Sequence, residues 1–245
     1  MAGTTKAGGP SVGAFLAAAG LAGTAGWVDA VAYMGLHAFV ANMTGAVVIL
    51  GLSAAELDIT GIARQALTIL AFLVGVVLSR LLRRLHQGPA PCYAAAALAV
   101  LTCIGVEGAG QPEVWLLAVA MGAQNAAATV FGGVGLNTVF LTGNVQRLGE
   151  TLADPAKPGV SRRFAAGLMP AVLLTYAAGA AGGGWAMKHL TQPLLPAILA
   201  LVAACIIALL CARTSRPVAT STPGAASPTL APVTADAPAG RTPPR

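Results

Sequence analysis

"FVANMTGAVVILG" at Phe39–Gly51 and "NTVFLTGNVQRLG" at Asn137–Gly149 are the two stretches on which the fold turns. Each is an apolar run broken by a Thr-Gly pair, and they lie roughly one half-chain apart. A helix needs about 20 mostly apolar residues to cross a bilayer, so each is short for a full crossing. If both cross, the chain has eight spans. If both enter the bilayer and return, it has six.

The surrounding sequence belongs to lipid. Of 245 residues, 56% are hydrophobic and 9% charged, with a mean hydropathy of +0.77. Soluble domains carry about 25% charged residues, so these few cannot cover a water-facing surface. The 30 glycines suit closely packed membrane helices. The formal charge of +6 sits mostly in loops; it is a topology signal, and nucleic acid is excluded as a partner. Cys92, Cys103, Cys205 and Cys211 form no CxxC pair and read as small apolar helix residues.

Six segments qualify as spans: Val12–Leu36, Ile62–Leu82, Cys92–Val106 (extending through Ala90 and Gly108), Val114–Phe131, Phe164–Met187 and Leu194–Cys211. The first is too long for a signal-peptide core. Residues 1–11 form a short cytoplasmic N-terminus, 12–211 the transmembrane domain, and 212–245 a cytoplasmic tail. That tail is rich in Pro, Ala and Thr, buries too little apolar surface to offset its chain entropy, and is expected to be disordered. With six spans, Lys6, Arg80, Arg83, Arg84, Arg147, Lys157, Arg162, Arg163, Arg213 and Arg216 share one side. Eight spans would separate Arg80–Arg84 from Arg162–Arg163. The excess of Lys and Arg on cytoplasmic loops therefore favours six spans with both termini cytoplasmic.

The halves repeat. "GWVDAVAYMG" (Gly26–Gly35) precedes the first Thr-Gly and "GAQNAAATVFGG" (Gly122–Gly133) the second, which aligns Asp29 with Asn125, Thr44 with Thr142 and Gly45 with Gly143. Three spans per half is odd, so the copies enter the membrane from opposite sides. The fold expected is an all-α polytopic bundle of two inverted three-span repeats, about 12–108 and 113–211, each with a Thr-Gly-interrupted re-entrant or broken helix. Unpaired backbone groups cost several kcal/mol each in hydrocarbon, so such breaks survive only inside protein or beside water. Gly45 and Gly143 would permit tight turns, and Asn42, Thr44, Thr142 or Asn144 would cap the helices that follow. Two helix N-termini meeting at the midplane favour an anion or the negative end of a dipolar solute.

In these motifs, with "FVANMTG" in the first half and "NTVFLTGNVQRLGE" in the second, the chain resembles the YoaK or DUF1275 family of bacterial membrane proteins over about Phe15 to Cys211. It departs from the family pattern at Ala46, where relatives often carry Asn; Asn144 keeps that amide in the second copy. The resemblance bears on fold and implies no activity.

The candidate solute-binding residues are Asp29, Asn42, Thr44, Gly45, Gln124, Asn125, Thr142, Gly143 and Asn144, with Arg147 as a gate. Asp29, an acid well inside a span, is costly there and calls for a role. It offers either a proton or cation site, or a cap for exposed amides around Asn42–Gly45. Gln124 and Asn125 contact solute or glue helices together, and Arg147 is a gate for anions or a topology residue. No metal-ligand spacing, nucleophile elbow or phosphate loop occurs, so no catalytic residue, metal or cofactor is assigned and an enzyme is not expected. The leading reading is a secondary transporter or permease for a small polar or anionic solute bound between the breaks. The alternative is a non-transporting membrane protein that binds a partner or lipid. Lipid is the certain partner, and a homodimer is compatible with so small a bundle.

Overall fold

The helix over Ile59–Leu85 identifies its solvent. Gly61, Gln65, Thr68, Phe72, Gly75 and Ser79 recur at helical spacing and are buried, whereas Leu70, Leu73, Val74, Val77 and Leu81 on the other faces are exposed. Small and polar residues point inward and aliphatic ones outward, the reverse of a helix facing water and the arrangement that lipid rewards.

The computed structural model describes residues 11–86, 89–105, 111–131, 133–138, 141–153 and 162–214. In chain order these form α1 (Val12–Leu36), α2 (Met43–Ala55), α3 (Ile59–Leu85), α4 (Ala90–Gly105), α5 (Gln111–Ala127), strands β1 (Val130–Phe131) and β2 (Val134–Gly135), α6 (Leu141–Ala153), α7 (Arg162–His189) and α8 (Leu195–Thr214). Helices over Val12–Leu36, Ile59–Leu85 and Arg163–His189 are long and apolar enough to cross a membrane, and those over Met43–Ala55, Ala90–Cys103 and Leu195–Leu210 are shorter apolar helices. The expected N-terminal segment before Ser11 and the expected tail beyond Thr214 lie outside the described residues.

Glycines set the packing. A Cβ at Gly26 of α1 would collide with the Tyr176 carbonyl of α7, and one at Gly179 with the Gly23 carbonyl. On the other pair, a Cβ at Gly122 of α5 would collide with the Phe72 carbonyl of α3, and one at Gly75 with the Val119 carbonyl. Both pairs therefore approach backbone to backbone, the mode small residues permit in membranes. Both pairs also run parallel: Gly23 meets Thr175 while Gly35 meets Met187, and Gly75 meets Val119 while Arg83 donates 3.0 Å to the Ala127 carbonyl. Trp27 lies on Gly182 and donates 2.8 Å to the Pro193 carbonyl, tying α1 to the start of α8.

The core divides into two clusters that order the helix ends. One gathers Ala25–Ala32 of α1, the later half of α4, the early half of α5 and the start of α8. The other gathers Ala18–Ala22, Cys92, Tyr93, Ala127 and the first turns of α7, with Leu82 and the end of α8 packed against it. So α1, α4 and α7 point one way, and α3, α5 and α8 the other. Gln65 near the start of α3 donates 3.1 Å to the His37 carbonyl at the end of α1. The segment between them therefore returns to the end it left. At 1.5 Å per residue the 13 residues of α2 span about 20 Å, too short for a bilayer core of about 30 Å.

Four expectations need correction. The Thr-Gly pairs are not the interruptions: they sit in the first turns of α2 and α6, and the non-helical backbone precedes them. Gly45 is not a turn residue either, since Gly133 alone among the described glycines has a positive φ, 83°. Gly45 is required because a Cβ there would lie 2.6 Å from the Phe39 ring. Lastly, the span expected over Val114–Phe131 ends as helix at Ala127. β-Branched Thr129 and Val130 leave the helix for a hairpin pairing Val130 with Gly135 and Phe131 with Val134. Helix α8 also runs three residues past the expected boundary at Cys211.

Candidate functional site

The first break is organised by a carboxylate. His37 ends α1 in the left-handed conformation, φ 52°, and the chain folds back so that residues 40–42 come level with Asp29, about two turns before the helix end. Oδ1 of Asp29 accepts the Val40 N–H at 2.8 Å and the Ala41 N–H at 2.6 Å, and Oδ2 accepts the Asn42 N–H at 2.8 Å. The Tyr176 hydroxyl donates to Oδ2 from α7. Asp29 is 2% exposed. A carboxylate has about four acceptor positions, and here all are taken. Asn42 then caps α2, its Oδ1 accepting the Gly45 N–H at 3.2 Å, while Phe39 stacks on Tyr33 at 4.7 Å. Thr44 is exposed on the outside of this assembly.

The second break is held from the opposite direction, by the helix that follows it. Asn144 of α6 pairs with the Asn137 backbone in both senses, Nδ2 donating 2.6 Å to the carbonyl and Oδ1 accepting the N–H at 3.3 Å. Arg147 donates through Nη1 to the Gly135 carbonyl, and the Leu136 N–H bonds the Thr129 carbonyl at 3.0 Å. Between hairpin and helix lies an open cavity of about 310 Å³ lined by Thr129, Gly135, Leu136, Asn137, Gly143, Asn144 and Arg147. Thr142 is exposed and, unlike Gly143, does not line this cavity.

Asn125 and Gln124, the counterparts on α5, differ from Asp29. Gln124 Nε2 donates 2.8 Å to the Leu21 carbonyl, binding α5 to α1, but its Oε1 and the Oδ1 of Asn125 are buried with no partner among the described residues. The reason is legible in the packing. Gly26 admits Tyr176, whose hydroxyl reaches Asp29; Gly122 admits Phe72, which has no hydroxyl to give.

Six of the ten expected site residues thus fall into two groups, and Thr44, Gln124, Asn125 and Thr142 belong to neither. Asp29, Asn42 and Gly45 build the first break. Gly143, Asn144 and Arg147 line the cavity of the second, which includes none of the first-half residues. Among the described residues no group of three or more His, Cys, Asp or Glu could hold a metal. Sequence reasoning missed Tyr176, Gly135 and Asn137. Setting α3 against α7 would have exposed the Phe72–Tyr176 difference, but Gly135 and Asn137 contribute only backbone and carry no side-chain signal.

A family model described as a protein of unknown function (DUF1275) matches residues 17–211. The UPF0700 transmembrane protein YoaK of Bacillus subtilis (strain 168) is 30% identical over 142 residues, covering 53% of this chain and 63% of that protein. The match thus spans less than two thirds of that relative's length. No solved structure matches.

Proposed function

This chain belongs to the DUF1275 family and is an integral membrane protein, and on that premise we propose that it is a multi-pass permease or secondary transporter for a small anionic solute. It crosses a bacterial plasma membrane six times as two inverted halves. The alternating helix directions and the matched glycine approaches, Gly26 with Gly122 and Gly75 with Gly179, support that arrangement. Arg80, Arg83, Arg84 and Arg163 fall at the end where α1 begins, which supports cytoplasmic termini.

The observation that carries the function is the cavity between the hairpin and α6, with Arg147, Asn144 and Gly143 in its wall. Its volume of about 310 Å³ lies at the small end of ligand sites. Arg147 stands in its wall, and a guanidinium is suited to carboxylate or phosphate recognition. The solute site is therefore asymmetric: the second break binds, and the first, saturated by its own amides and Tyr176, holds the fold. The test is thermal unfolding of purified protein against a panel of chloride, phosphate and small carboxylates. At least one should stabilise the wild type and not Arg147→Gln; a panel without effect on the wild type removes the reading.

A second reading rests on Asp29. Because four donors fill it, both breaks are explicable as structural pins in a non-transporting membrane protein. Solute uptake into vesicles that is lost in Arg147→Gln separates the two.

A further inference from the structure

Where α1 stops and α8 starts, another cavity of about 220 Å³ lies between α1, α4, α5, α7 and the lead into α8. Val31, Leu36, Leu117, Met187 and Leu194 give it an apolar wall. Cys103 and Glu113 line it too, and the Cys103 thiol donates to the Glu113 carbonyl at 3.7 Å. The Glu113 carboxylate stands close enough to that thiol for its charge to act on it, which keeps the acid beside the wall. Glu113 is half-buried, and among the described residues no Lys, Arg or His lines the space. A place in the first turn of α5 suits an acid through the helix dipole. That accounts for the carboxylate and leaves the hollow beside it unexplained.

We infer that this cavity binds a small organic ammonium ion, with its charge on Glu113 and its hydrocarbon against the aliphatic wall. The cavity shares no lining residue with the one beside Arg147, so the inference stands apart from the anion reading. Size and chemistry select the guest. An apolar cavity of about 150 Å³ takes up benzene, so this one admits a molecule somewhat larger. A bare divalent cation wants about six oxygen ligands, which aliphatic side chains do not supply. An anion would meet Glu113 with like charge, and a neutral hydrocarbon would leave the carboxylate without a counter-charge.

The test uses the full chain in lipid nanodiscs at neutral pH, with thermal unfolding titrated by cyclohexylammonium, cyclohexanol and methylammonium. Cyclohexylammonium should stabilise the wild type at concentrations about tenfold below either control. Cyclohexanol lacks the charge, and methylammonium lacks the buried hydrocarbon. Glu113→Gln should raise the concentration of cyclohexylammonium required to that of cyclohexanol, whereas uptake into lipid alone would be the same in both proteins. Gly35 also lines the cavity, and a Cβ there would sit 3.4 Å from the Met187 Cε. Gly35→Leu therefore fills the space and should abolish the response; it serves where Glu113→Gln does not fold. A wild type indifferent to cyclohexylammonium overturns the inference. So does either control acting at the same concentration, or a response to cyclohexylammonium undiminished in either variant.

Discussion

The two breaks answer one problem in opposite ways. Non-helical backbone within a bilayer protein must find partners for its N–H and C=O groups. In the first half, a side chain on the preceding helix, Asp29, reaches forward to three consecutive amides. In the second, side chains on the following helix, Asn144 and Arg147, reach back to the hairpin. The carboxylate solution is closed and buried. The amide and guanidinium solution borders a cavity. Two motifs that share a Thr-Gly pair therefore give one break closed on a carboxylate and one break that borders a cavity.

That contrast is sharpest at Asp29. Asp29→Ala strands three amides and a tyrosine hydroxyl, so thermal or denaturant unfolding should register a loss of about 3 kcal/mol. Asn125→Ala, which removes an oxygen without a partner, should cost well under half of that. Equal losses would dissolve the distinction between the halves. Next in size, Gly26→Val and Gly122→Val should each cost about 2 kcal/mol by overpacking against a backbone carbonyl. Matched losses would support equivalent helix pairs, and a tolerated Gly122→Val would break the equivalence.

Tyr176→Phe makes the first half resemble the second at this contact, and unfolding should report a loss of about 1 kcal/mol. A neutral result would mean that the three amides alone suffice for the carboxylate. Smallest of all, Thr44→Val and Thr142→Val should change stability by no more than about 0.5 kcal/mol, because both side chains are exposed. A large effect at either would return the threonines to the site. Cysteine labelling of Arg83→Cys and Arg163→Cys should place both on one face of the membrane, as six crossings require.

Much of the fold was legible in the sequence because lipid imposes simple demands. Run length, the scarcity of charge and the sidedness of arginines gave the helical segments and favoured six of them over eight. The site was legible only in outline. Asp29 drew notice as an acid at depth, and both its readings followed from that alone. Its actual partners, Val40, Ala41 and Tyr176, have no marker in the motif. Thr44 and Thr142 misled because a hydroxyl beside glycine looks like a break, whereas in the fold it occupies the first turn of a new helix.

What the sequence determined by itself was the solvent and the course of the long apolar helices, since these depend on composition and order along the chain. What the tertiary structure alone decided was which copy of the motif is saturated and which is open. That depends on three backbone amides and the Tyr176 hydroxyl being brought to Asp29 by the fold-back of the chain and by helices that meet at glycines. Hydrogen bonds reach about 3 Å, and no pattern along a chain specifies which atoms will come that close.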